Sequence, residues 1–252
     1  MRANPLIIVF PFLLLLTGCI TETTGYIKKE FDPRVVVERQ INLGVGYLRQ
    51  REYTRAKQNL RKALSIDPRS AFAHTTLGVL FQLEGEFELA EDHFKKAIRF
   101  EPDFSQARNN YGVFLFDRGR FEDATVQLIV ATQDRFYAKR PQAFENLGVA
   151  YLRLGKPAKA EAAFVRAVEL NFSQSRALVE LADIRFDQKN FVESRRLYQR
   201  HGSLSQQSAH SLWLCVRLAR VFDDLDEEAS CGLVLKNIFP ASDEYNEYKR
   251  IL

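Results

Sequence analysis

The sequence predicts an all-α protein built as a solenoid of about six helix–turn–helix repeats. Three observations support this fold class. A motif of small and large residues recurs about every 34 positions, apolar residues within each unit are spaced three and four apart, and no segment alternates between apolar and polar residues as a half-buried strand does. The chain has 252 residues, of which 46% are hydrophobic and 27% are charged. These proportions are typical of a folded protein and exclude a disordered one.

Small residues mark the same three positions in four consecutive units. A glycine comes first, an alanine follows twelve residues later, and a second alanine follows after seven more. A large apolar residue, Leu60 in the first unit, lies between the two alanines. Small side chains let antiparallel helices approach closely, and the large one fills the space between them. The small residues are Gly44, Ala56 and Ala63, then Gly78, Ala90 and Ala97, then Gly112, Ala124 and Ala131, then Gly148, Ala160 and Ala167.

This pattern resembles the tetratricopeptide repeat (TPR), in which each unit is a helix A, a turn and a helix B. The resemblance implies a right-handed superhelix whose A helices line a concave face. Asp32-Pro33 is typical of a helix start, and Pro68 and Pro102 should end the first two B helices. The last two units match the motif poorly, as terminal repeats often do. We predict a TPR domain over residues 33–252, with repeats at 37–70, 71–104, 105–138, 141–174, 175–208 and 209–242.

Residues 1–18 are predicted to form a lipoprotein signal peptide. Arg2 precedes an uncharged apolar run over residues 5–16, which is too short to span a bilayer. Leu16-Thr17-Gly18-Cys19 resembles the bacterial lipobox, which implies cleavage before Cys19 and acylation of that residue. The alternative is an ordinary secretory signal that happens to contain a cysteine.

Lipidation would anchor the mature chain to a membrane. Three acyl chains exceed what stable anchoring needs, and residues 19–32 would form a polar tether between the lipid and the TPR domain. Ile20 follows the cysteine, where an aspartate commonly retains lipoproteins at the inner membrane. By resemblance, this favours the outer membrane.

The concave face is predicted to bind a protein partner. Helix A positions 2, 5, 6, 9, 12 and 13 line this face in TPR proteins, and position 9 is valine in four repeats. A valine row flanked by amides and large apolar side chains suits an extended or helical peptide. The alternative is that the valines only pack between neighbouring A helices. The candidate groove residues are Asn42, Val45, Leu48, Val79, Asn110, Val113, Phe116, Asn146, Val149 and Leu152.

The first repeats are the predicted centre of this groove, because they lie nearest the lipidated end of the chain. Leu48 and Phe116 on its rim should be more exposed than Leu43 and Tyr111, which are expected to be structural.

The sequence contains no pattern that predicts catalysis, a cofactor or a metal site. It lacks a Gly-rich phosphate loop, His-Glu-x-x-His and Gly-x-Ser-x-Gly. Its net charge of +4 is spread along the chain, so a nucleic-acid partner is not expected, and neither is a small-molecule substrate. The histidines, His74, His93, His201 and His210, show no metal-ligand spacing, and His74 and His93 are interpreted as structural.

Cys215 and Cys231 are predicted to face each other in the sixth repeat. They lie on either side of a turn at Asp223-Asp224, so an antiparallel hairpin brings them level. In an oxidising compartment such thiols tend to form a disulfide. The alternative is two buried free thiols that pack as small apolar groups.

The lipobox, the short tether and the six TPRs together resemble the type IV pilus biogenesis lipoproteins of PilF/PilW type, the secretin pilotins. The more specific stretches are residues 107–115 and 239–245. The resemblance implies an outer-membrane lipoprotein on the periplasmic side that helps the type IV pilus secretin subunit to assemble its ring. The alternative function is that of a TPR lipoprotein adaptor for cell-envelope hydrolases or other envelope complexes.

Overall fold

The computed structural model describes residues 32–251, and the regular structure of this range is entirely α-helical. The first twelve helices pair as antiparallel hairpins, one A helix and one B helix per repeat, which confirms the predicted all-α TPR solenoid. The helices are α1 (Pro33–Arg49), α2 (Tyr53–Ile66), α3 (Ala71–Glu84), α4 (Phe87–Phe100), α5 (Ser105–Asp117), α6 (Phe121–Gln133), α7 (Arg140–Arg153), α8 (Pro157–Leu170), α9 (Ser175–Asp187), α10 (Phe191–Gly202), α11 (Ala209–Val221), α12 (Leu225–Ile238) and α13 (Asp243–Arg250).

Prolines set several helix boundaries. Helix α1 begins at Pro33, as the Asp-Pro pair predicts. Helices α2 and α4 end two residues before Pro68 and Pro102, because a proline ring clashes with the preceding turn and offers no N–H.

In each of the first four repeats, the glycine of the A helix faces the large residue of its own B helix. A Cβ atom on Gly78 would lie 2.8 Å from the ring of Phe94, and one on Gly112 would lie 2.6 Å from Leu128 Cγ. In the sixth repeat the glycine lies instead on the B helix: Gly232 packs against Tyr248 of α13, while Val216 of α11 is fully buried. The sixth repeat therefore also uses a glycine to bring two helices close together, but the two helices are α12 and α13 rather than helix A and helix B.

Each of the six A–B turns contains one residue with a positive φ. Its neighbour donates a backbone hydrogen bond across the turn to the last part of helix A, as Glu86 does to the carbonyl of Phe81 at 2.9 Å. This geometry is typical of a helix C-terminus closed by glycine, yet only three of the six residues are glycines. The six residues with a positive φ are Arg51 (61°), Gly85 (82°), Gly119 (74°), Gly155 (64°), Lys189 (62°) and Asp223 (54°).

The hydrophobic core extends along the solenoid in successive clusters. One joins the first two repeats, a second joins the second to the fourth, and a third extends from the fourth repeat to α13. Helix α13 covers the last hairpin through the buried side chain of Tyr248. A core of this kind depends on contacts between neighbouring repeats.

Among residues 32–251, no helix is both long enough and apolar enough to cross a bilayer.

Candidate functional site: the concave face

The A helices form the inner layer of the solenoid. Each A helix contacts the A helix of the next repeat, whereas no two B helices contact each other in the described part of the chain. The A helices are therefore closer together, which places them on the concave side and the B helices on the convex side.

A depression of about 330 Å³ lies on this concave face between α3, α5 and α7. Its lining combines valine and leucine with amide side chains, so it offers both apolar contact and hydrogen-bonding groups to an occupant. The side chain of Leu83 stands at its rim and is 56% exposed. The lining residues are Val79, Gln82, Leu83, Asn109, Asn110, Val113, Lys139, Gln142 and Asn146.

A smaller depression of about 90 Å³ continues the first toward α9 and shares Val113 and Asn146 with it. It is lined by Val113, Phe116, Asp117, Leu128, Asn146, Val149 and Arg176. We call the two together the central groove. Six of the predicted groove residues line it: Val79, Asn110, Val113, Phe116, Asn146 and Val149.

The other four predicted residues do not line the central groove. Asn42 is exposed on α1, Val45 and Leu48 pack against the core of the first two repeats, and Leu152 packs against the third core cluster. The two depressions thus extend over repeats two to five, from Val79 to Arg176. Val149 is only 6% exposed, so this valine serves mainly as packing between helices.

The exposure expected for Leu43 and Leu48 was wrong. Leu43 is 44% exposed, while Leu48 is half-buried. In later repeats a preceding hairpin covers this position, but α1 is the first helix of the solenoid and has no such neighbour among the described residues. The exposure expected for Phe116 and Tyr111 is confirmed: Phe116 is half-buried, whereas Tyr111 is only 4% exposed.

The amides of the groove are held by hydrogen bonds to one another. Asn146 Nδ2 on α7 donates to Asn109 Oδ1 on α5 at 3.1 Å, and Gln82 Nε2 donates to Asp117 Oδ2 at 3.0 Å. Burial raises the pKa of the Asp117 carboxyl, and the bond from Gln82 opposes that rise. These links fix the side chains on neighbouring A helices, so the groove presents its amides in a set geometry.

Several lining residues were missed by sequence reasoning although the signal was present. Leu83, Asn109 and Gln142 occupy helix A positions 13, 5 and 2, all of which face the concave side in TPR proteins. Lys139 belongs to the two-residue insertion and has no position in the repeat, so no pattern could have placed it.

Beyond the central groove the concave face becomes charged. Arg217 on α11 pairs with Asp183 on α9, lies 3.7 Å from Asp187, and stacks over the rings of Phe186 and Trp213. Asp183 and Arg217 occupy helix A position 9 of the fifth and sixth repeats, where the first four repeats have valine. The network ties α9 to α11 where the repeat motif is weakest.

A carboxylate also holds the start of α9. Glu145 Oε2 on α7 accepts a hydrogen bond of 3.0 Å from the backbone N–H of Ala177 in the first turn. Burial raises the pKa of the Glu145 carboxyl, and the bond from Ala177 opposes that rise. A negative group at a helix N-terminus satisfies a free N–H and interacts favourably with the helix dipole.

Buried His74 and half-buried His93 form a pair between α3 and α4. Their Nδ1 atoms lie 2.9 Å apart, and His74 Nε2 donates to the carbonyl of Pro68 at 3.2 Å. Burial lowers the pKa of both rings, that of His93 to about 4. The pair is therefore neutral and structural at neutral pH. No group of three or more potential ligands in residues 32–251 could hold a metal ion.

The structure joins Cys215 and Cys231 by a disulfide with a Cα–Cα distance of 6.3 Å. It links α11 to α12 across the Asp223 turn. Cys19 lies outside the described residues.

Comparison with known proteins places this architecture in a family. The tetratricopeptide repeat family matches residues 41–103, 84–144 and 145–208. The type IV pilus assembly protein PilF of Pseudomonas aeruginosa is 40% identical over 243 residues, which cover 96% of each chain. A solved structure of P. aeruginosa PilF superposes with a TM-score of 0.84 at 40% identity, covering 87% of this chain and 99% of that one.

A second solved structure shows the same fold at lower identity. The crystal structure of PilW, a type IV pilus biogenesis factor, superposes with a TM-score of 0.71 at 23% identity and covers 84% of this chain and 98% of that one. The repeat pattern, the hairpin geometry and the identity over nearly the whole length all indicate the same family. The chain is a tetratricopeptide repeat protein and belongs to the PilF family.

Proposed function

We propose that this protein is a type IV pilus assembly factor that binds the pilus secretin subunit in its central groove and promotes formation of the secretin ring. The observation that carries the proposal is the 40% identity to a pilus assembly protein over 96% of both chains. The matched length extends over all six repeats, so it includes the segments that form the concave face.

The central groove suits a short peptide segment of the partner. Val79 and Val113 supply half-buried apolar surface, and Asn110 and Gln142 offer amide donors and acceptors. Burying the apolar surface contributes about 25 cal/mol per Å², less the free energy needed to order the segment. The amides pair with the polar backbone of the bound segment, which keeps them from becoming buried without partners.

We also propose that Cys19 carries the lipid that holds the protein on the periplasmic side of the outer membrane. The lipobox at residues 16–19 supports this. In a Cys19→Ser variant we expect loss of membrane retention after a salt wash, because each buried methylene of an acyl chain contributes about 0.8 kcal/mol. Retention of this variant in the outer-membrane fraction would refute the anchor.

The function is tested in a strain that lacks the gene. We expect the strain to lose surface pili and SDS-resistant secretin multimers, and the wild-type gene to restore both. Leu83→Glu changes a 56% exposed groove residue and should fail to restore them. Leu89→Glu is the matched control on α4, where Leu89 is 46% exposed and does not line the groove, and it should restore them.

The alternative outcome is equally clear. If the strain keeps its secretin multimers, the protein does not assemble the secretin, and an adaptor role in the cell envelope becomes the better interpretation.

A further inference from the structure

One edge of the solenoid is formed by the loops that connect each B helix to the next A helix. Because the helices of each hairpin are antiparallel, these loops all lie at the same end of the helices. We call this surface the loop edge. It consists of residues 67–70, 101–104, 134–139, 171–174, 203–208 and 239–242.

The loop edge carries the most exposed phenylalanines of the described chain. Phe136 is 97% exposed and Phe172 is 68% exposed, and Leu204 on the next loop is 43% exposed. Apolar side chains that are scattered singly over a surface need no explanation, but these three lie on consecutive loops of one edge.

Hydrogen bonds hold the Phe136 loop in this shape. Asp134 Oδ1 accepts from the backbone N–H of Phe136 at 2.8 Å, and Asp134 Oδ2 accepts from the hydroxyl of Ser105 at 2.8 Å. Arg140 Nε donates to the carbonyl of Thr132 at 2.7 Å, and the neighbouring Tyr137 is half-buried. The loop is thus built so that Tyr137 points into the protein and Phe136 into solvent.

Basic side chains surround the two phenylalanines. Arg135 and Lys139 flank Phe136 and are exposed, and the guanidinium of exposed Arg200 lies 5.1 Å from the centre of the Phe172 ring. Two carboxylates of this region are engaged, since Asp134 accepts the loop hydrogen bonds and Glu169 pairs with Arg166, whereas Glu101 and Asp103 on the preceding loop are exposed. Aromatic rings with neighbouring Lys and Arg are the combination that suits the interface of an anionic membrane.

The chain enters the domain at this same edge. Helix α1 is an A helix, so its first residue, Pro33, lies at the end of the helices where the loops are. Asp32 lies thirteen positions beyond Cys19, and an extended chain of that length reaches roughly 45 Å. A lipid on Cys19 would therefore allow the loop edge to reach the membrane surface. This step rests on the proposed lipid anchor.

We propose that the loop edge contacts the membrane, with Phe136 and Phe172 inserted at the headgroup boundary and Arg135, Lys139 and Arg200 on anionic headgroups. An anchor at a single residue leaves the domain free to rotate, whereas a second contact fixes its orientation. The central groove then keeps a constant position relative to the bilayer in which the secretin must assemble.

The test uses the lipidated full-length chain in vesicles of phosphatidylethanolamine and phosphatidylglycerol with brominated acyl chains, which quench tryptophan emission. Trp213 is the only tryptophan and is first changed to Phe. Phe136→Trp then reports on the loop edge. Val192→Trp is the matched control, because Val192 is 75% exposed in the first turn of α10, at the opposite end of the helices.

We expect the bromine to quench the Phe136→Trp variant several-fold more than the Val192→Trp variant. Replacing phosphatidylglycerol with phosphatidylcholine, or changing both Arg135 and Lys139 to Gln, should reduce this difference, because each basic residue adds to attraction by an anionic surface. Co-flotation with the vesicles in high salt reports separately on the lipid anchor.

Each result decides the matter. Flotation with equal quenching at the two positions overturns the loop-edge contact and leaves the anchor standing. Failure to float overturns both. If quenching is equal at the two positions but the double variant Phe136→Ser, Phe172→Ser abolishes secretin multimers, the loop edge binds protein rather than lipid.

Discussion

Gly44 of α1 faces Leu60 of α2 so closely that a Cβ atom on the glycine would lie 2.8 Å from Leu60 Cγ. Gly46, two residues further along the same helix, has no atom within 4 Å of the corresponding point. The two glycines therefore make opposite predictions for the same substitution.

Gly44→Ala should lower the free energy of unfolding by about 1–3 kcal/mol, because Leu60 must leave its rotamer or the hairpin must open. Gly46→Ala should raise it by about 0.5–1 kcal/mol, since alanine restricts the unfolded chain and favours helix. Urea denaturation of both variants measures the difference. Equal effects of the two substitutions would mean that the repeat glycine is not selected by packing.

The turns with positive φ predict a stabilising substitution. Lys189 adopts a φ of 62° at the position where Gly155 has 64° in the preceding repeat. A residue with a side chain is strained there by about 1–2 kcal/mol, so Lys189→Gly should relieve the strain and raise the free energy of unfolding by up to about 1 kcal/mol. Gly155→Ala should lower it. Thermal melts followed by circular dichroism test both, and a drop in Tm for Lys189→Gly would contradict the interpretation.

The His74–His93 pair predicts a loss of stability in mild acid. The pKa of each ring in the folded protein lies below its ordinary value of 6.5, that of His93 at about 4. Between these pH values the unfolded chain binds protons that the folded one does not, so the free energy of unfolding falls as pH drops below about 6.5. Glu91, whose pKa is lowered to about 2, changes stability only below its ordinary value of 4.5.

The measurement is urea denaturation between pH 5 and pH 7.5, a window in which Glu91 stays ionised. His93→Gln keeps a side-chain donor near His74 Nδ1 but cannot be protonated, so its stability should change less over this range. A variant with the same slope as the wild-type protein would show that the pair does not cause the pH dependence.

The disulfide between Cys215 and Cys231 should stabilise the sixth repeat. Its cysteines are 16 residues apart, and a loop of about this size predicts about 3 kcal/mol from the lost entropy of the unfolded chain. Replacing both by Ala should lower the free energy of unfolding by about this amount. Dithiothreitol should destabilise the wild-type protein similarly and leave the variant unaffected. Two free thiols at these positions in the unfolded, unreduced protein would refute the bond.

The sequence predicted most of the fold because packing in this solenoid depends on short-range spacing. Gly112 and Leu128 belong to one hairpin, so a fixed interval in the sequence corresponds to one contact in space. The helix ends at Pro68 and Pro102 follow equally local rules. The exposure of Leu43 could not be read in the same way, because it depends on the absence of a preceding hairpin rather than on the motif itself.

The candidate site was predicted in part for a related reason. Val79, Val113 and Asn146 were found because they repeat at fixed positions on the A helices. The pairing of Arg217 with Asp183 joins two degraded repeats, where no motif links one charge to the other. The insertion that places Lys139 beside the groove also lies outside the repeat period. Contacts between repeats that have lost their pattern become visible only in three dimensions.

The central claim is that the groove between α3, α5 and α7 binds the secretin subunit. Its most direct test is the dissociation constant between the purified full-length protein and the purified secretin subunit, measured in parallel for Leu83→Glu and Leu89→Glu. Burying a leucine is worth about 1.5–3 kcal/mol, so Leu83→Glu should weaken binding about tenfold or more, and Leu89→Glu should leave it unchanged. Wild-type affinity for Leu83→Glu, with the fold intact by circular dichroism, would contradict the account.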